Sequence, residues 1–320
     1  MVNTLENRIF AIYGILPHAE LSDVYIVLAA TACLLLLRLA FAGVNKDGKS
    51  RWPSIFCVII DKLQIAKKDK SYKLAESLWY LCWHCTSLAC TIAVFSEEYG
   101  TPGKRKWLYY FLQDFKGIWF FSESIDDASA KIITWPNITM TPRMKMLTLV
   151  SIGFWVSCCI YIHWETRRSD MKIMRFHHFT TVALLVLDYI YNFHRIGTFV
   201  IILHDIPDVL LFTTKTLSYI CNVPEALTAI CFIMYAFSHF FCRFVLLWRF
   251  IAQPLFCNME IEEFYGGALK YLWSLPGGII CPCLLVVLTV MNTYWLNLII
   301  QMIRHFAKGA KLEDEREKEE

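Results

Sequence analysis

The chain has 320 residues, 57% of them hydrophobic and 18% charged, with a formal net charge of +3. That balance excludes an ordinary soluble globular domain and points to an all-α, polytopic transmembrane helical bundle. The charge lies in loops between long apolar runs, which speaks against a nucleic-acid surface.

Residues 1–22 contain Glu6, Arg8, His18 and Glu20 but no long apolar core. No cleavable signal peptide is expected, so the first span serves as the targeting signal. Apolar runs predict about seven spans, near 23–43, 77–95, 145–163, 174–193, 197–219, 225–250 and 277–302, each close to the ~20 residues a bilayer requires. The fourth and fifth are joined by only a few residues around His194–Gly197, so they form an antiparallel hairpin. Loops 45–76, 164–176, 220–224 and 303–320 hold 17 Lys and Arg, against 9 in the alternate set. The positive-inside rule therefore places the first set, and the C-terminus, in the cytosol. The resulting division is a lumenal N-terminus (1–22), a first transmembrane helix (23–43), a basic cytosolic loop (44–76), a multi-helix domain (77–303) and a charged cytosolic tail (304–320). The basic stretch "KKDKSYK" anchors its loop at the membrane surface and attracts anionic lipid.

Three local features carry narrower expectations. Asn137-Ile138-Thr139 is a glycosylation sequon in a lumenal loop. Most of the 13 cysteines lie in apolar runs and act as small hydrophobes, while Cys257 with Cys281 or Cys283 could bridge in an oxidising lumen. Arg316 and Lys318 loosely fit a dibasic retrieval signal.

The fourth and fifth spans carry many ionisable groups, each costing roughly 2.5–3.5 kcal/mol at a span centre. At about 100° per residue, Thr181, Asp188, Asn192 and Arg195 fall within about 60° of His177, and His178 flanks that stripe. Asp208, Lys215 and Tyr219 likewise fall within about 60° of His204, with Asp205 flanking. Two such stripes suit a shared, partly hydrated cavity. A histidine beside a carboxylate can be a general base or a nucleophile. The competing reading is that Asp188–Arg195 and Asp208–Lys215 simply neutralise each other to hold the bundle. A metal site is disfavoured, because an i,i+1 histidine pair cannot aim both rings at one ion from a regular helix.

The order "HWETRRSDMKIMRFHH" then "DYIYNFHRIGTFVIILHDIPDVLLFTTKTLSY" resembles the signature of ceramide synthases, in the TLC-domain superfamily. Asp170, His177, His178, Asn192, Arg195, Gly197, His204, Asp205, Asp208, Lys215 and Tyr219 fall on that pattern. "YKLAESLW", "WPNITMTP", "FWVSCCIYIHWETRR" and "YWLNLIIQMIRHFAKGAKLEDERE" extend the similarity over roughly residues 72–316. The resemblance implies a TLC-type core in the endoplasmic reticulum membrane. The activity it implies is transfer of a fatty acyl group from acyl-CoA to a sphingoid base, with acyl-CoA as co-substrate and no cofactor or metal.

It also implies that His177, His178, Asp205 and Asp208 are catalytic. Asp170, Thr181, Asp188, Asn192, Arg195, His204, Lys215 and Tyr219 are expected to bind substrate or support the site. Two mechanisms stay open. His177 attacks the thioester to give an acyl-imidazole, or a histidine acts as general base for direct attack by the amine. In either, Asp205 or Asp208 orients an imidazole and accepts a proton. Arg167, Arg168, Lys172 and Arg175 lie beside the mouth and suit CoA phosphates, or serve only as positive-inside signals.

Asp188 stands where the resembled pattern has Ser, Phe212 where Glu is frequent, and Ser218 where Asn is frequent. Pro207 lies inside the HD-x-x-D motif and should bend the fifth span. Rival readings are a non-enzymatic lipid-sensing or translocon-associated TLC protein, and a transporter using the stripe as a proton path. The expected partners are acyl-CoA, a sphingoid base and membrane lipid, with a homo- or hetero-dimer or accessory subunit possible and no nucleic acid.

Overall fold

The computed structural model describes residues 19–46, 49–50, 54–99, 121–123, 132–134, 140–165, 168–253 and 278–309. Asn137, Arg167, Cys257, Arg316 and Lys318 lie outside them. The described helices are α1 (Leu21–Phe41), α2 (Ile55–Leu63), α3 (Ser71–Tyr99), α4 (Pro142–Tyr161), α5 (Met171–Ile190), α6 (His194–Tyr219), α7 (Glu225–Phe240) and α8 (Ile280–Ala307). α7 continues as π-helical turns over Phe241–Leu246 and Trp248–Ala252. Two small antiparallel pairings, Asn45–Lys46 with Lys49–Ser50 and Phe121–Glu123 with Ile132–Thr134, are the strands among the described residues.

Six helices are long and apolar enough to cross a membrane: α1, α3, α4, α6, α7 with its continuation, and α8. α5 has 20 residues, but Lys172, Arg175, His177, His178 and Asp188 dilute its apolar character. It nevertheless runs the length of the bundle. Arg168, just before it, pairs with Glu76 at 2.5 Å, and Tyr189 near its end donates to Asp23.

Polar contacts gather at the two ends of the bundle. At one end Arg38 pairs with Glu165 at 2.6 Å, Tyr80 donates to Glu165, and Tyr161 donates to the Gly43 carbonyl. There the Lys67 N–H donates to Tyr219 O (2.8 Å) and Cys221 N–H to Ile65 O (2.7 Å). Loops 45–76, 164–176 and 220–224, sorted together by charge, thus meet physically. At the other end Lys145 pairs with Asp23 at 3.0 Å.

α2 lies within the basic loop. Ser54 caps it by accepting from Cys57 N–H (3.2 Å), and Gln64 ends it in the left-handed region at φ 52°. Nine residues are too few to span. Cys57 and Ile60 pack on Leu74, Ala75 and Tyr219, while Ile55, Val58, Ile59 and Leu63 stay exposed, as in a helix lying at the interface.

Close packing uses small residues. A Cβ on Gly153 would come within 2.7 Å of Ala30 Cβ, so glycine lets α1 and α4 touch, and Thr31 Oγ1 donates to the Gly153 carbonyl at 3.2 Å. The α5–α6 turn is Tyr191–Phe193. Asn192 sits at φ 57°, a conformation asparagine tolerates, and its Oδ1 accepts from His194 Nδ1 at 2.7 Å. The turn therefore falls a few residues before the sequence-based position. α6 then runs unbroken through Pro207. The described cysteines are free, Cys281 and Cys283 included.

Arg38 is 2% exposed, and its guanidinium lies over the Tyr80 and Tyr161 rings at 4.5 and 4.1 Å. Glu165→Ala leaves that cation buried without its carboxylate. Breaking such a pair costs about 3–5 kcal/mol, so the Tm of detergent-solubilised protein falls by several degrees. Arg38→Met added to Glu165→Ala recovers most of the loss.

Candidate active site

Two cavities meet inside the bundle. The larger encloses about 1130 Å³ including its opening. Its walls are largely apolar, with Leu184, Val200, Ile201, Leu285 and Leu288 prominent, and it reaches from His177 and Asp208 to Asp188 and Gly197. The eleven residue steps from His177 to Asp188 give it a depth of about 16 Å along α5. The second, about 650 Å³, is the more polar of the two and lies toward the Glu165 end. Tyr80, His84, Glu165, Arg168, His178 and Arg243 contribute to it. Trp155, His177 and Asp208 line both, so His177 sits at the waist between them.

Packing fixes the His177 ring. Trp295 of α8 meets His177 edge-on at 5.1 Å between centroids, and Trp155 of α4 meets it edge-on at 5.7 Å. The Trp295 indole N–H donates to Asp170 at 3.1 Å, tying the start of α5 to α8. The Thr181 hydroxyl donates to the His177 carbonyl at 2.9 Å. His178 is 4% exposed and its ring lies 5.9 Å from that of His177. Nδ1 of each ring is buried without a hydrogen-bond partner among the described residues.

The two aspartates of α6 are held from other helices. Asp205 accepts from His84 Nδ1 at 2.7 Å and from Ser87 Oγ at 2.6 Å, both on α3. Asp208 pairs with Arg243 at 2.5 Å. Arg243 also donates to Asn292 Oδ1 and to the His204 carbonyl, each at 3.3 Å. Pro207 removes one backbone donor from that same turn of α6. Asp205 thus holds an imidazole, that of His84 rather than of His177 or His178, while Asp208 is held by Arg243. The proposed neutral pair Asp208–Lys215 is replaced by Asp208–Arg243. His204 Nδ1 donates to Val200 O at 2.8 Å, and its Nε2 is buried without a partner among the described residues.

Asp188 closes the deep end. Its Oδ1 accepts from the Gly197 N–H at 3.2 Å, and a Cβ on Gly197 would sit 2.4 Å from its carboxyl atoms. The stripe of α5 stops here, because the helix ends at Ile190. Asn192 and Arg195 are therefore buried in and just after the turn, outside both cavity walls. Lys215 and Tyr219 are also buried away from the cavities, Tyr219 within the α2–α3 cluster. Of the basic candidates Arg168 lines the polar cavity, while Lys172 and Arg175 are exposed on the first turns of α5. Among the described residues no three His, Cys, Asp or Glu side chains could hold a metal ion.

Sequence reasoning passed over His84, Arg243, Trp155 and Trp295. His84 and Arg243 are single polar residues in apolar runs, and that expense was the available signal.

The TLC domain family matches residues 73–301. The chain is 28% identical to "Ceramide synthase LOH2" of Arabidopsis thaliana, over 76% of this chain and 73% of that one. It is 28% identical to "ASC1-like protein 3" of Oryza sativa subsp. japonica, over 74% and 73%. With "Ceramide synthase 4" of Homo sapiens the identity is 30%, over 58% and 45%. The matched segment runs from α3 to α8 and contains both cavities, so the chain belongs to the TLC-domain family.

Proposed function

We propose that the protein is a ceramide synthase, moving a fatty acyl group from acyl-CoA to the amine of a sphingoid base. The observation that carries this reading is His177 at the waist between a long apolar cavity and a polar one. A fatty acyl chain fills the apolar cavity, which places its thioester carbon at His177. The CoA end then extends through the polar cavity toward Arg168, with Lys172 and Arg175 outside as further phosphate partners. The retained histidines and carboxylates favour the enzyme over a non-enzymatic lipid-sensing or translocon-associated protein, which has no need of them.

His177 acts in one of two ways: as a nucleophile whose imidazole nitrogen bonds the acyl carbon while CoA thiolate leaves, or as a base for direct attack by the amine. Its ring is oriented by Trp155 and Trp295, and His178 supports it from the polar side. The Arg243–Asp208 pair supplies fixed charge beside the thioester. The charge sorting of the loops supports a cytosolic Glu165 end, and with it a cytosolic C-terminus. Acyl-CoA then enters from the cytosolic face of the endoplasmic reticulum membrane.

Membranes from cells lacking ceramide synthase, programmed with this protein and given labelled sphingoid base and a panel of acyl-CoAs, form an N-acyl product. Absence of product at every chain length defeats the proposal. His177→Ala lowers turnover by about 10²-fold or more at unchanged expression, and Asp208→Asn lowers it by weakening the Arg243 pair. Leu184→Trp fills the apolar cavity partway down. The preferred acyl chain shortens, read as the product distribution from the mixed panel.

A further inference from the structure

Resting on the acyltransferase reading, we infer that His84 is a further catalytic residue, the base that takes the proton from the attacking amine. His84 lies on α3, outside the α5–α6 hairpin that carries the other histidines of the cavities. It is 3% exposed and lines the polar cavity together with His177, His178 and Asp208. Its Nδ1–H donates to Asp205 Oδ1 at 2.7 Å, and Ser87 fixes the other carboxylate oxygen at 2.6 Å. This bond sets the tautomer, leaving the Nε2 lone pair as the basic position. The ring lies nearly parallel to that of Phe212, with centroids 5.5 Å apart at 9°, and to that of Tyr80, at 6.3 Å and 24°. A carboxylate, an imidazole and a reacting group in series form the usual arrangement for general-base catalysis.

The two aspartates of α6 are engaged elsewhere. Both oxygens of Asp205 are occupied, and Asp208 is held by Arg243. His177 faces the acyl carbon. In the transfer step the amine nitrogen bonds to the acyl carbon. The bond from that carbon to the His177 nitrogen breaks, His177 having acted as the nucleophile. The proton released from the amine passes to His84 Nε2 and then to the leaving group, which departs neutral. Asp205 stabilises the imidazolium while it lasts.

The test uses the full chain in membranes lacking ceramide synthase, with labelled sphingoid base and the acyl-CoA that the unaltered protein uses best. His84→Ala and His84→Gln each lower turnover by about 10²-fold, while KM for acyl-CoA stays within about threefold. Added imidazole restores about tenfold or more to His84→Ala and nothing to the unaltered protein, as expected when a missing base is replaced. Turnover of His84→Ala within about threefold of the unaltered protein overturns the inference. So does a loss that imidazole leaves unrestored, whether or not Tm falls, because a packing role accounts for it. Lack of product from the unaltered protein instead defeats the acyltransferase reading on which the inference rests.

Discussion

Two carboxylates of α6 sit where water is scarce, and the bundle is arranged so that each finds a partner. Asp205 is met by His84 and Ser87 from α3, and Asp208 by Arg243 from the continuation of α7. An unpartnered buried charge costs about 3–5 kcal/mol, comparable to a large part of a domain's net stability. The pairs therefore do more than neutralise charge. They fix the rotation of α3 and α7 about α6, and with it which side chains face the cavities. Arg38 with Glu165 applies the same rule at one end, and Lys145 with Asp23 at the other.

That framework divides the interior by chemistry. Leu184, Val200, Ile201 and Leu288 wall a space suited to a hydrocarbon chain, while Arg168, Glu165, His84 and Arg243 line one suited to charged and hydrogen-bonding groups. His177 is shared by both. Placing an amphiphile across such a boundary holds its polar–apolar junction at a defined depth, and this converts affinity for a chain into positioning of a carbonyl.

Some of this was legible in the residues. The wheel ranked His177 ahead of His178, and His177, Thr181, Asp188, His204 and Asp208 line one cavity. Charge sorting grouped the loops that meet at one end. Other features depend on contacts between distant segments. A wheel cannot show that Asp208 pairs with Arg243, 35 residues away, rather than with Lys215 one stripe along. It also continued past Ile190, where Asn192 turns the chain, and so enrolled Asn192 and Arg195 in a face that had already ended. Helix α2 escaped because its nine residues fall short of a span. His84 escaped because one histidine in an apolar run has no periodic companion to mark it.

The π-helical turns after Phe240 bear on how this chain can change. A π turn accommodates an extra residue relative to the α-helix, and Arg243 lies within the first such segment, Phe241–Leu246. Helical phase is thus part of the charge pairing. Losing a single residue from this stretch would restore α geometry and change the angular position of Arg243 within it. The guanidinium would leave Asp208 although its own codon was untouched. Divergence along this helix is therefore constrained in length as well as in residue type, and lipid-facing substitutions such as those at Phe237 or Phe241 are far easier to accommodate than a one-residue gap.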